Sequence, residues 1–337
     1  MKAIVIHAPK HISVKEVFRP ERKENEVLIK VHGMGVCGSD IGAYEGINPL
    51  VTYPRIIGHE IAGEVLEVPQ GEMEIRPGNR VVIEPYVYCG KCYPCLNKRT
   101  NCCENLTVRG VHIDGGMSEF CLHPRHLVHK VPDNVSWKHL AMAEPLTISV
   151  HAVRRARLAQ GEHLVVIGSG PIGLLAAQVA LVIGAVPIMV DPIDERLALA
   201  RSMGIAHGIN PAKESAVERI KEMTGGKMAE AVVEASGNDA AIRSSMDYAA
   251  FSGRVSLVGW PKGEVSLMTA MVTKKELDVM GSRNSFQAFP ESIHLIANSL
   301  IDVASLVTRT VSFEEVPTAV KEIAAYPEKF MKVVALI

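Results

Sequence analysis

The chain has 337 residues, which is long enough for two domains that each bury a hydrophobic core. Hydrophobic residues make up 47% and charged residues 22%, as in ordinary globular proteins, and a formal net charge of −1 favours neither nucleic acid nor a membrane as partner. The N-terminus has no signal-like pattern, and the apolar runs are shorter than the roughly 20 residues of a membrane span. Seven cysteines, most of them at metal-binding spacing, fit a reducing compartment, so we expect a cytoplasmic protein.

The first part of the chain has the pattern of a small, irregular β-domain. Short segments of alternating apolar and polar residues are separated by turn signals such as Pro77-Gly78-Asn79. A mainly-β domain is therefore expected over residues 1–145. Its clearest predicted strands are Glu26–Val31, Ile61–Val68 and Arg80–Ile83.

After about His151 the sequence alternates between short apolar runs and helical patterns. This alternation predicts an α/β domain with a doubly wound parallel sheet over residues 146–286. The last segment, 287–337, has a helical stretch and a strand-like end, which we expect to return to the first domain. The predicted elements are the strands Leu164–Ile167, Pro187–Val190, Ala231–Glu234, Arg254–Val258 and Lys332–Ile337, and the helices Pro171–Ile183, Asp194–Met203 and Glu291–Leu300.

Four cysteines, Cys89, Cys92, Cys95 and Cys103, have the spacing C-x2-C-x2-C-x7-C. Thiolates at this spacing can converge on one tetrahedral Zn2+, and four sulfur ligands leave no position for water or substrate. A disulfide framework is typical of short secreted chains, and a single zinc lobe in a large neutral protein is not typical of nucleic-acid binding. The cluster therefore predicts a structural zinc site.

A glycine motif, G-x-G-x-x-G, occupies residues 168–173 between a predicted strand and a predicted helix. In such a turn Gly168 permits the tight bend, Gly170 lets a pyrophosphate approach the backbone, and Gly173 allows helix and strand to pack closely. The helix N-terminus then faces the phosphates with free N–H groups. Asp191, at the end of the next strand, can accept hydrogen bonds from the adenosine ribose and would repel a 2′-phosphate, which favours NAD over NADP. The alternative is a structural glycine turn in another α/β protein.

A second set of possible zinc ligands is spread over the first 145 residues. Cys37 lies in G-V-C-G-S-D, His59 in G-H-E and Glu144 in A-E-P. Each alone has a simpler explanation, as a buried thiol or as a surface or capping residue. Together they offer the sulfur, nitrogen and oxygen donors of a catalytic zinc that keeps one position open for a substrate oxygen.

In this combination and order, the motifs resemble those of the zinc-dependent medium-chain dehydrogenase/reductase family, in particular its sorbitol and sugar-acid dehydrogenase branch. The resemblance covers essentially the whole chain. It implies a GroES-like catalytic domain at 1–145, a Rossmann NAD-binding domain at 146–286 and a return to the catalytic domain at 287–337. The matching motifs are G-x-C-G-S-D at 35–40, G-H-E at 58–60, the four-cysteine lobe at 89–103, A-E-P at 143–145 and the glycine motif at 168–173.

The resemblance implies two Zn2+ per chain, one catalytic and one structural. Cys37 and His59 would bind the catalytic zinc. Glu60 or Glu144 would complete its ligands, directly or through water. The four-cysteine lobe would hold the structural zinc.

For proton transfer and the cofactor, the resemblance implies further roles. Ser39 would relay the substrate proton. Gly42 stands where a histidine commonly ends the proton relay, so proton exit would use water, a cofactor hydroxyl or another group. The implied NAD-binding residues are Gly168, Gly170, Pro171, Ile172, Gly173, Asp191, Arg196 and Val258.

Three local stretches, residues 111–116, 152–155 and 280–284, are similar to members of the branch that oxidise hexonates. They imply oxidation of the C5 hydroxyl of an aldonate, with L-gulonate (giving D-fructuronate) first and L-galactonate second. Polyols and L-threonine are further alternatives. Arg109 or Arg283 could bind the substrate carboxylate in a bidentate manner, and a structural ion pair is an equal alternative for each.

The family also implies a homodimer or homotetramer in which edge strands of the Rossmann domain pair, here within residues 254–279. Two different classes of protein stay open as alternatives. One is a zinc-free quinone-type reductase, which the complete ligand sets argue against. The other is an NAD- or metal-sensing binding protein, which NADH production from a hexonate would exclude.

Overall fold

The computed structural model describes residues 1–337, and the chain divides into two compact units. Unit 1 comprises Met1–Glu144, Phe289–Ser299 and Val303–Ile337, and unit 2 comprises Pro145–Ala288 and Leu300–Asp302. The sequence placed the boundaries after residues 145 and 286 and did not anticipate the short segment of unit 2 near residue 301. None of the helices combines the length and apolarity needed to cross a bilayer.

The chain forms strands and helices throughout its length. The strands are β1 (Lys2–Ala8), β2 (His11–Glu16), β3 (Glu26–Val36), β4 (Arg55–Ile56), β5 (Glu60–Glu67), β6 (Arg80–Ile83), β7 (Tyr86–Val87), β8 (Thr107–Val108), β9 (Phe120–Pro124), β10 (Val128–Lys130), β11 (His163–Ile167), β12 (Val186–Val190), β13 (His207–Ile209), β14 (Ala229–Glu234), β15 (Ala249–Leu257), β16 (Asp278–Gly281), β17 (Val307–Ser312) and β18 (Lys332–Leu336). The α-helices are α1 (Gly38–Glu45), α2 (Tyr93–Leu96), α3 (Trp137–Leu140), α4 (Ala143–Arg155), α5 (Pro171–Ile183), α6 (Asp194–Ser202), α7 (Ala216–Met223), α8 (Asp239–Tyr248), α9 (Thr269–Lys275), α10 (Phe289–Ala297) and α11 (Val316–Ala325).

The main sheet of unit 1 has the strand order β10-β6-β5-β3-β18-β17, and β9 also pairs with β3. The last strand, β18, runs antiparallel to β3 and places Val333 opposite Val36. Buried aliphatic side chains of both strands belong to the same core. Because Val36 immediately precedes Cys37, this pairing brings the end of the chain beside the first predicted zinc ligand.

Unit 2 contains a six-stranded sheet with the order β13-β12-β11-β14-β15-β16, in which all neighbouring strands are parallel. The chain starts at β11, builds outward through β12 and β13, and then crosses back to continue from β14 to β16. The strand order therefore reverses between β11 and β14. Dinucleotides bind beyond the carboxyl ends of the strands at such a reversal.

The predicted fold class, a doubly wound parallel sheet joined to a mainly-β domain, is confirmed. Helix α5 has the predicted bounds because Gly184, with a φ of 81°, caps its last carbonyls. Strand β15 begins at Ala249 rather than Arg254, and helix α10 ends at Ala297 rather than Leu300. Several elements were missed, including α8, although the Asn238 side chain caps its first N–H groups as a sequence signal for helix initiation would predict.

Candidate active site

Cys37 occupies the N-cap position of α1, directly after β3. Asp40, in the first turn of that helix, accepts a hydrogen bond from the Cys37 N–H at 2.9 Å through Oδ2. Its other oxygen, Oδ1, accepts from the Gly58 N–H at 3.3 Å. Asp40 is buried, and burial raises the pKa of its carboxyl group. This one carboxylate therefore joins the segment that carries Cys37 to the segment that carries His59.

His59 and Glu60 lie at the start of β5, and both are buried. One donor atom from each of Cys37, His59 and Glu60 lies within 4.8 Å of the other two. The Glu60 carboxylate fits there because Gly35 has no side chain: a Cβ at Gly35 would lie 1.8 Å from Glu60 Oε2. The motifs G-x-C-G-S-D and G-H-E are thus brought together in space as one set of sulfur, nitrogen and oxygen donors.

Glu60 also forms a buried ion pair with a residue of the last strand. The Lys332 Nζ donates to Oε1 at 2.6 Å and to Oε2 at 2.8 Å, and it lies 3.3 Å from the Val36 carbonyl oxygen. Burial lowers the pKa of Lys332, but the negative charges of Glu60 and Cys37 outweigh it, and the pKa is raised. Lys332 therefore stays charged and offsets part of the negative charge that converges here.

Glu144 lies at the start of α4, is buried, and accepts a short hydrogen bond from the Tyr86 hydroxyl. Burial raises the pKa of the Glu144 carboxyl group, and burial followed by the charge of Glu144 raises the pKa of Tyr86. Glu144 is not part of the set within 4.8 Å that contains Cys37, His59 and Glu60. Of the two glutamates left open by the sequence, the structure brings Glu60 to the sulfur and nitrogen donors.

Two buried polar atoms in this region have no hydrogen-bond partner: the Nδ1 atom of His59 and the Oγ atom of Ser39. A buried polar group without a partner is costly, so such atoms are expected to have a ligand in the working protein. Burial lowers the pKa of the His59 imidazole, but the neighbouring Cys37 and carboxylates outweigh it, and the pKa is raised well above its usual range. The negatively charged groups that cause this shift would equally attract a metal cation, which the neutral imidazole can bind. The residues present therefore fit a zinc ion.

The four cysteines of the lobe also converge. One sulfur atom from each of Cys89, Cys92, Cys95 and Cys103 lies within 4.8 Å of the others. The Cys92 sulfur is 3.4 Å from that of Cys95 and 3.7 Å from that of Cys103. All seven cysteines of the chain are free thiols, and Cys102 is outside this cluster. Four thiol groups at these separations fit a closed tetrahedral zinc site.

In unit 2, the glycine motif forms the turn between β11 and α5. Gly168 has a φ of 97°, which a residue with a Cβ rarely adopts, and a Cβ at Gly173 would lie 1.8 Å from the Gly168 carbonyl oxygen. A Cβ at Gly170 would meet nothing within 4 Å. Gly170 is the N-cap of α5, and Pro171 and Ile172 form its first turn. The open space beside Gly170 and the free N–H groups of the helix fit a pyrophosphate.

Asp191, at the carboxyl end of β12, connects this turn to the next segment. Its Oδ2 accepts from the Ser169 N–H at 2.7 Å and its Oδ1 from the Ile193 N–H at 2.9 Å. The predicted cofactor residue Arg196 lies in the first turn of α6, and Val258 follows β15. Asp191 and Val258 follow the carboxyl ends of β12 and β15, at the edge of the parallel sheet where a dinucleotide binds.

The two arginines considered for the substrate differ in their surroundings. The Arg109 Nε donates to His123 Nδ1 at 3.1 Å, and its Nη1 donates to the Asp114 carbonyl oxygen at 2.9 Å. Arg109 is thus committed to contacts within unit 1. Arg283 is exposed and lies just after β16 in unit 2.

Two family models and several known proteins match this chain. The alcohol dehydrogenase GroES-like domain matches residues 23–133, and the zinc-binding dehydrogenase domain matches residues 171–298. A zinc-type alcohol dehydrogenase-like protein of Haemophilus influenzae is 51% identical over 337 residues, which are 100% of this chain and 98% of that protein. The L-galactonate-5-dehydrogenase of Escherichia coli is 36% identical over 315 residues, which are 93% of this chain and 92% of that protein.

Two solved structures share the fold over 100% of this chain and 99% of their own. One is a zinc-binding dehydrogenase from Sinorhizobium meliloti bound to NADP, with a TM-score of 0.94 and 29% identity. The other is an alcohol dehydrogenase from Escherichia coli in complex with NADH, with a TM-score of 0.93 and 32% identity. The chain belongs to the zinc-dependent medium-chain dehydrogenase/reductase family. It is an oxidoreductase that acts on CH–OH groups and uses zinc and NAD(P).

Four residues around the candidate zinc site of this dehydrogenase were not singled out from the sequence. Asp40 and Gly35 lie inside a motif that was recognised, so their positions carried a local signal. Lys332 and Tyr86 carried no local signal, because each contacts its glutamate only in the folded chain. Lys332 is 272 residues from Glu60 in the sequence, and Tyr86 is 58 residues from Glu144.

Proposed function

We propose that this dehydrogenase oxidises a secondary hydroxyl group of a sugar acid with NAD+ as the hydride acceptor. The observation that carries the proposal is the convergence of Cys37, His59 and Glu60 beside the unpartnered Ser39 hydroxyl. Three protein ligands of mixed type leave a position on zinc for a substrate oxygen. A purely structural zinc site or a binding protein would not need that open position.

For the metals, we assign Cys37, His59 and Glu60 as the catalytic zinc ligands and the four lobe cysteines as the structural ones. Glu144 is not assigned as a direct ligand of the catalytic zinc, and its carboxylate accepts a hydrogen bond from the Tyr86 hydroxyl. The contacts of Asp40 with the backbone on both sides of the site support this assignment, since groups that orient metal ligands contribute strongly to metal affinity. Lys332 holds the Glu60 carboxylate in place and limits the net negative charge.

When bound, zinc lowers the pKa of the substrate hydroxyl as a Lewis acid, and NAD+ accepts the hydride. The Ser39 hydroxyl accepts the proton of the substrate hydroxyl group and passes on its own. Gly42 has no side chain to take that proton further, so proton exit would use water, a cofactor hydroxyl or another group. Asp40 keeps the segments of Cys37 and His59 at a fixed separation while charge moves between the reacting atoms.

We further propose that NAD is preferred over NADP. Support comes from Asp191, whose carboxylate sits at the end of β12 where the adenosine ribose is bound in this fold. Glu195 follows in the first turn of α6 and adds negative charge, whereas the carboxylate of Asp194 is paired with Lys213. A 2′-phosphate would have to approach these carboxylates, whereas a 2′-hydroxyl can donate a hydrogen bond to one of them. One solved relative binds NADH and another binds NADP, so membership of the family does not determine the cofactor. The preference for NAD is therefore proposed from the acidic side chains of this chain.

For the substrate, we propose the C5 hydroxyl of a six-carbon aldonate, with L-gulonate as the first candidate and L-galactonate as the second. The local hexonate-like stretches support the first choice, and the 36% identity with an L-galactonate-5-dehydrogenase supports the second. Arg109 and Arg283 are the two candidates for binding the substrate carboxylate, and we test Arg283 first because it lies in the hexonate-like stretch 280–284. Polyols and L-threonine are the competing substrates.

We also propose that the protein is a homo-oligomer assembled through unit 2. Strand β16 is an edge strand, α9 buries none of its side chains, and Trp260 is 82% exposed nearby in sequence. An open sheet edge flanked by exposed apolar groups is suited to pairing with a second copy. Light scattering that shows a stable monomer at micromolar concentration would contradict this.

A substrate panel tests the proposed function. NADH formation is followed with L-gulonate, L-galactonate, their epimers, sorbitol, xylitol and L-threonine, and we expect the highest kcat/KM with L-gulonate. Arg283→Ala should raise KM for the aldonate and leave a neutral polyol nearly unaffected. If sorbitol or xylitol is oxidised faster than every aldonate, the sugar-acid assignment is wrong. If no compound gives NADH, the binding-protein alternative takes its place.

A further inference from the structure

Glu234, the last residue of β14, is completely buried in unit 2 and forms no ion pair with a lysine, arginine or histidine. Burying a carboxylate is costly unless hydrogen bonds or opposite charges compensate. Strand β14 lies next to β11 at the reversal of strand order, and Glu234 stands opposite Ile167, the residue before Gly168. A buried carboxyl group therefore lies at the edge of the sheet where a dinucleotide binds.

The carboxylate of Glu234 is compensated by the turn that follows its own strand. Its Oε1 accepts hydrogen bonds from the Ser236 N–H at 2.8 Å, the Ser236 hydroxyl at 2.5 Å and the Gly237 N–H at 3.0 Å. The Ser236 Oγ in turn accepts from the Asn238 N–H at 3.1 Å. Asn238 is the N-cap of α8, so the carboxylate fixes the whole connection from β14 into that helix.

Glu234 also forms hydrogen bonds with the turn after β15, through its backbone carbonyl group. The Glu234 carbonyl oxygen accepts from the Val258 N–H at 2.9 Å and from the Gly259 N–H at 3.0 Å. A Cβ at Gly259 would lie 2.5 Å from Glu234 Oε2 and 2.1 Å from the Gly237 nitrogen. The backbone after β15 therefore packs directly against the carboxylate, and only glycine permits that approach.

The turn that Glu234 fixes also touches the glycine motif. A Cβ at Gly168 would lie 3.0 Å from the Ser236 Cβ and 3.2 Å from the Ser236 nitrogen. The turn after β14 thus contacts the turn after β11 on one side and the turn after β15 on the other, and Glu234 fixes this middle turn. A shift of the Ser236 turn would be transmitted to the turn that receives the pyrophosphate and to Val258, a predicted cofactor residue.

We propose that Glu234 is the positioning residue of the cofactor site, setting the shape of the three turns that surround the dinucleotide. The inference rests on the proposed use of NAD. A carboxylate suits this position because all its partners are donors. In glutamine the amide oxygen could take the place of Oε1, but the NH2 group would replace Oε2, which accepts from the Gly237 N–H at 3.3 Å and lies against Gly259. The NH2 group would then face a donor and lack acceptors in a buried position.

The test compares Glu234→Gln with Glu230→Gln. Glu230 lies on the same strand, and its carboxylate also accepts from a backbone N–H, that of His163 at 2.8 Å, but it is at the amino end of the sheet. NADH binding is measured by fluorescence titration, together with thermal stability and zinc content. We expect Glu234→Gln to weaken NADH binding about tenfold or more, the scale of an unmade buried hydrogen bond, and to raise KM for NAD+ more than it lowers kcat. Glu230→Gln should bind NADH like the wild type, even if it unfolds at a lower temperature.

Equal NADH affinity in Glu234→Gln and the wild type would overturn the proposal, as would equal weakening in both variants. If Glu234→Gln does not fold, Ser236→Ala removes one donor to the carboxylate and should give a smaller loss of NADH affinity with zinc content unchanged. No loss in that variant would also overturn the proposal. Because NADH binding is measured without substrate, failure of the aldonate panel leaves this result interpretable, and a wild type that binds no NADH would refute the proposed function instead.

Discussion

Asp40→Asn tests whether a residue that only orients the zinc ligands affects zinc binding, because the substitution leaves the ligands themselves unchanged. Asp40 is 1% exposed and binds no metal in the proposed arrangement. Its two oxygens accept hydrogen bonds from the backbone N–H groups of Cys37 and Gly58. Asparagine has nearly the same shape but only one acceptor oxygen, so one of these two N–H groups must lose its partner.

The size of the effect follows from that lost contact. Leaving a buried N–H group without an acceptor costs about 1–3 kcal/mol. Because the two N–H groups belong to the segments that carry Cys37 and His59, we expect most of this cost to appear as weaker binding of the catalytic zinc. Loss of an orienting group typically weakens metal affinity about 10- to 100-fold. The lobe zinc, held by four cysteines elsewhere in the sequence, should be unaffected.

A chelator titration of the wild type and of Asp40→Asn measures both zinc affinities, with NADH formation followed in parallel. Glu315→Gln is a matched control, because Glu315 caps a helix start in the same way and accepts from the Ser312 N–H at 2.8 Å. The control should keep its zinc affinity, and its stability should change little because a glutamine oxygen can still accept from the Ser312 N–H. If Asp40→Asn releases its catalytic zinc at the same chelator concentration as the wild type, Asp40 does not orient the ligands and the reasoning fails.

Three further predictions concern other parts of the molecule. Cys92→Ser should remove one zinc per chain and lower the thermal midpoint, whereas Cys102→Ser should do neither; equal metal content in both variants would argue against a zinc in the lobe. Asp191→Ala should lower the ratio of kcat/KM with NAD+ to kcat/KM with NADP+. An unchanged ratio would show that Asp191 does not select the cofactor. Hydrogen bonding to Arg125 lowers the pKa of Glu72 to about 2, so its stabilisation is present above about pH 4.5 and disappears as the pH falls through 2. Urea titrations should therefore show Glu72→Gln to be less stable than the wild type at pH 7 and equal to it near pH 2, and a constant difference would contradict this.

The sequence predicted those parts of the molecule whose signals are local. The spacing of the lobe cysteines and the glycine motif could be recognised because their residues are close in the chain, and the turn geometry at Gly168 and Gly173 follows from the backbone alone. The bounds of α5 were predicted because Pro171 starts the helix and Gly184 ends it.

Contacts between distant segments could not be predicted in this way. Lys332 was seen only as part of a strand-like end, and its buried ion pair with Glu60 depends on the pairing of β18 with β3. Glu234 was seen as the end of a strand, with no sign that its carboxylate would contact the turn after β14 and the turn after β15. Which glutamate lies closer to Cys37 and His59, Glu60 or Glu144, likewise depended on distances that the sequence does not contain.

The central claim, an open catalytic zinc separate from a structural one, is tested most directly by metal analysis of the wild type and of Cys37→Ala combined with assays of NADH formation. We predict about two zinc ions per chain in the wild type. In Cys37→Ala we predict about one, with oxidation of aldonates abolished and the fold retained, because the lobe zinc remains in place. Two zinc ions in the variant, or NADH formation at the wild-type rate, would contradict the account.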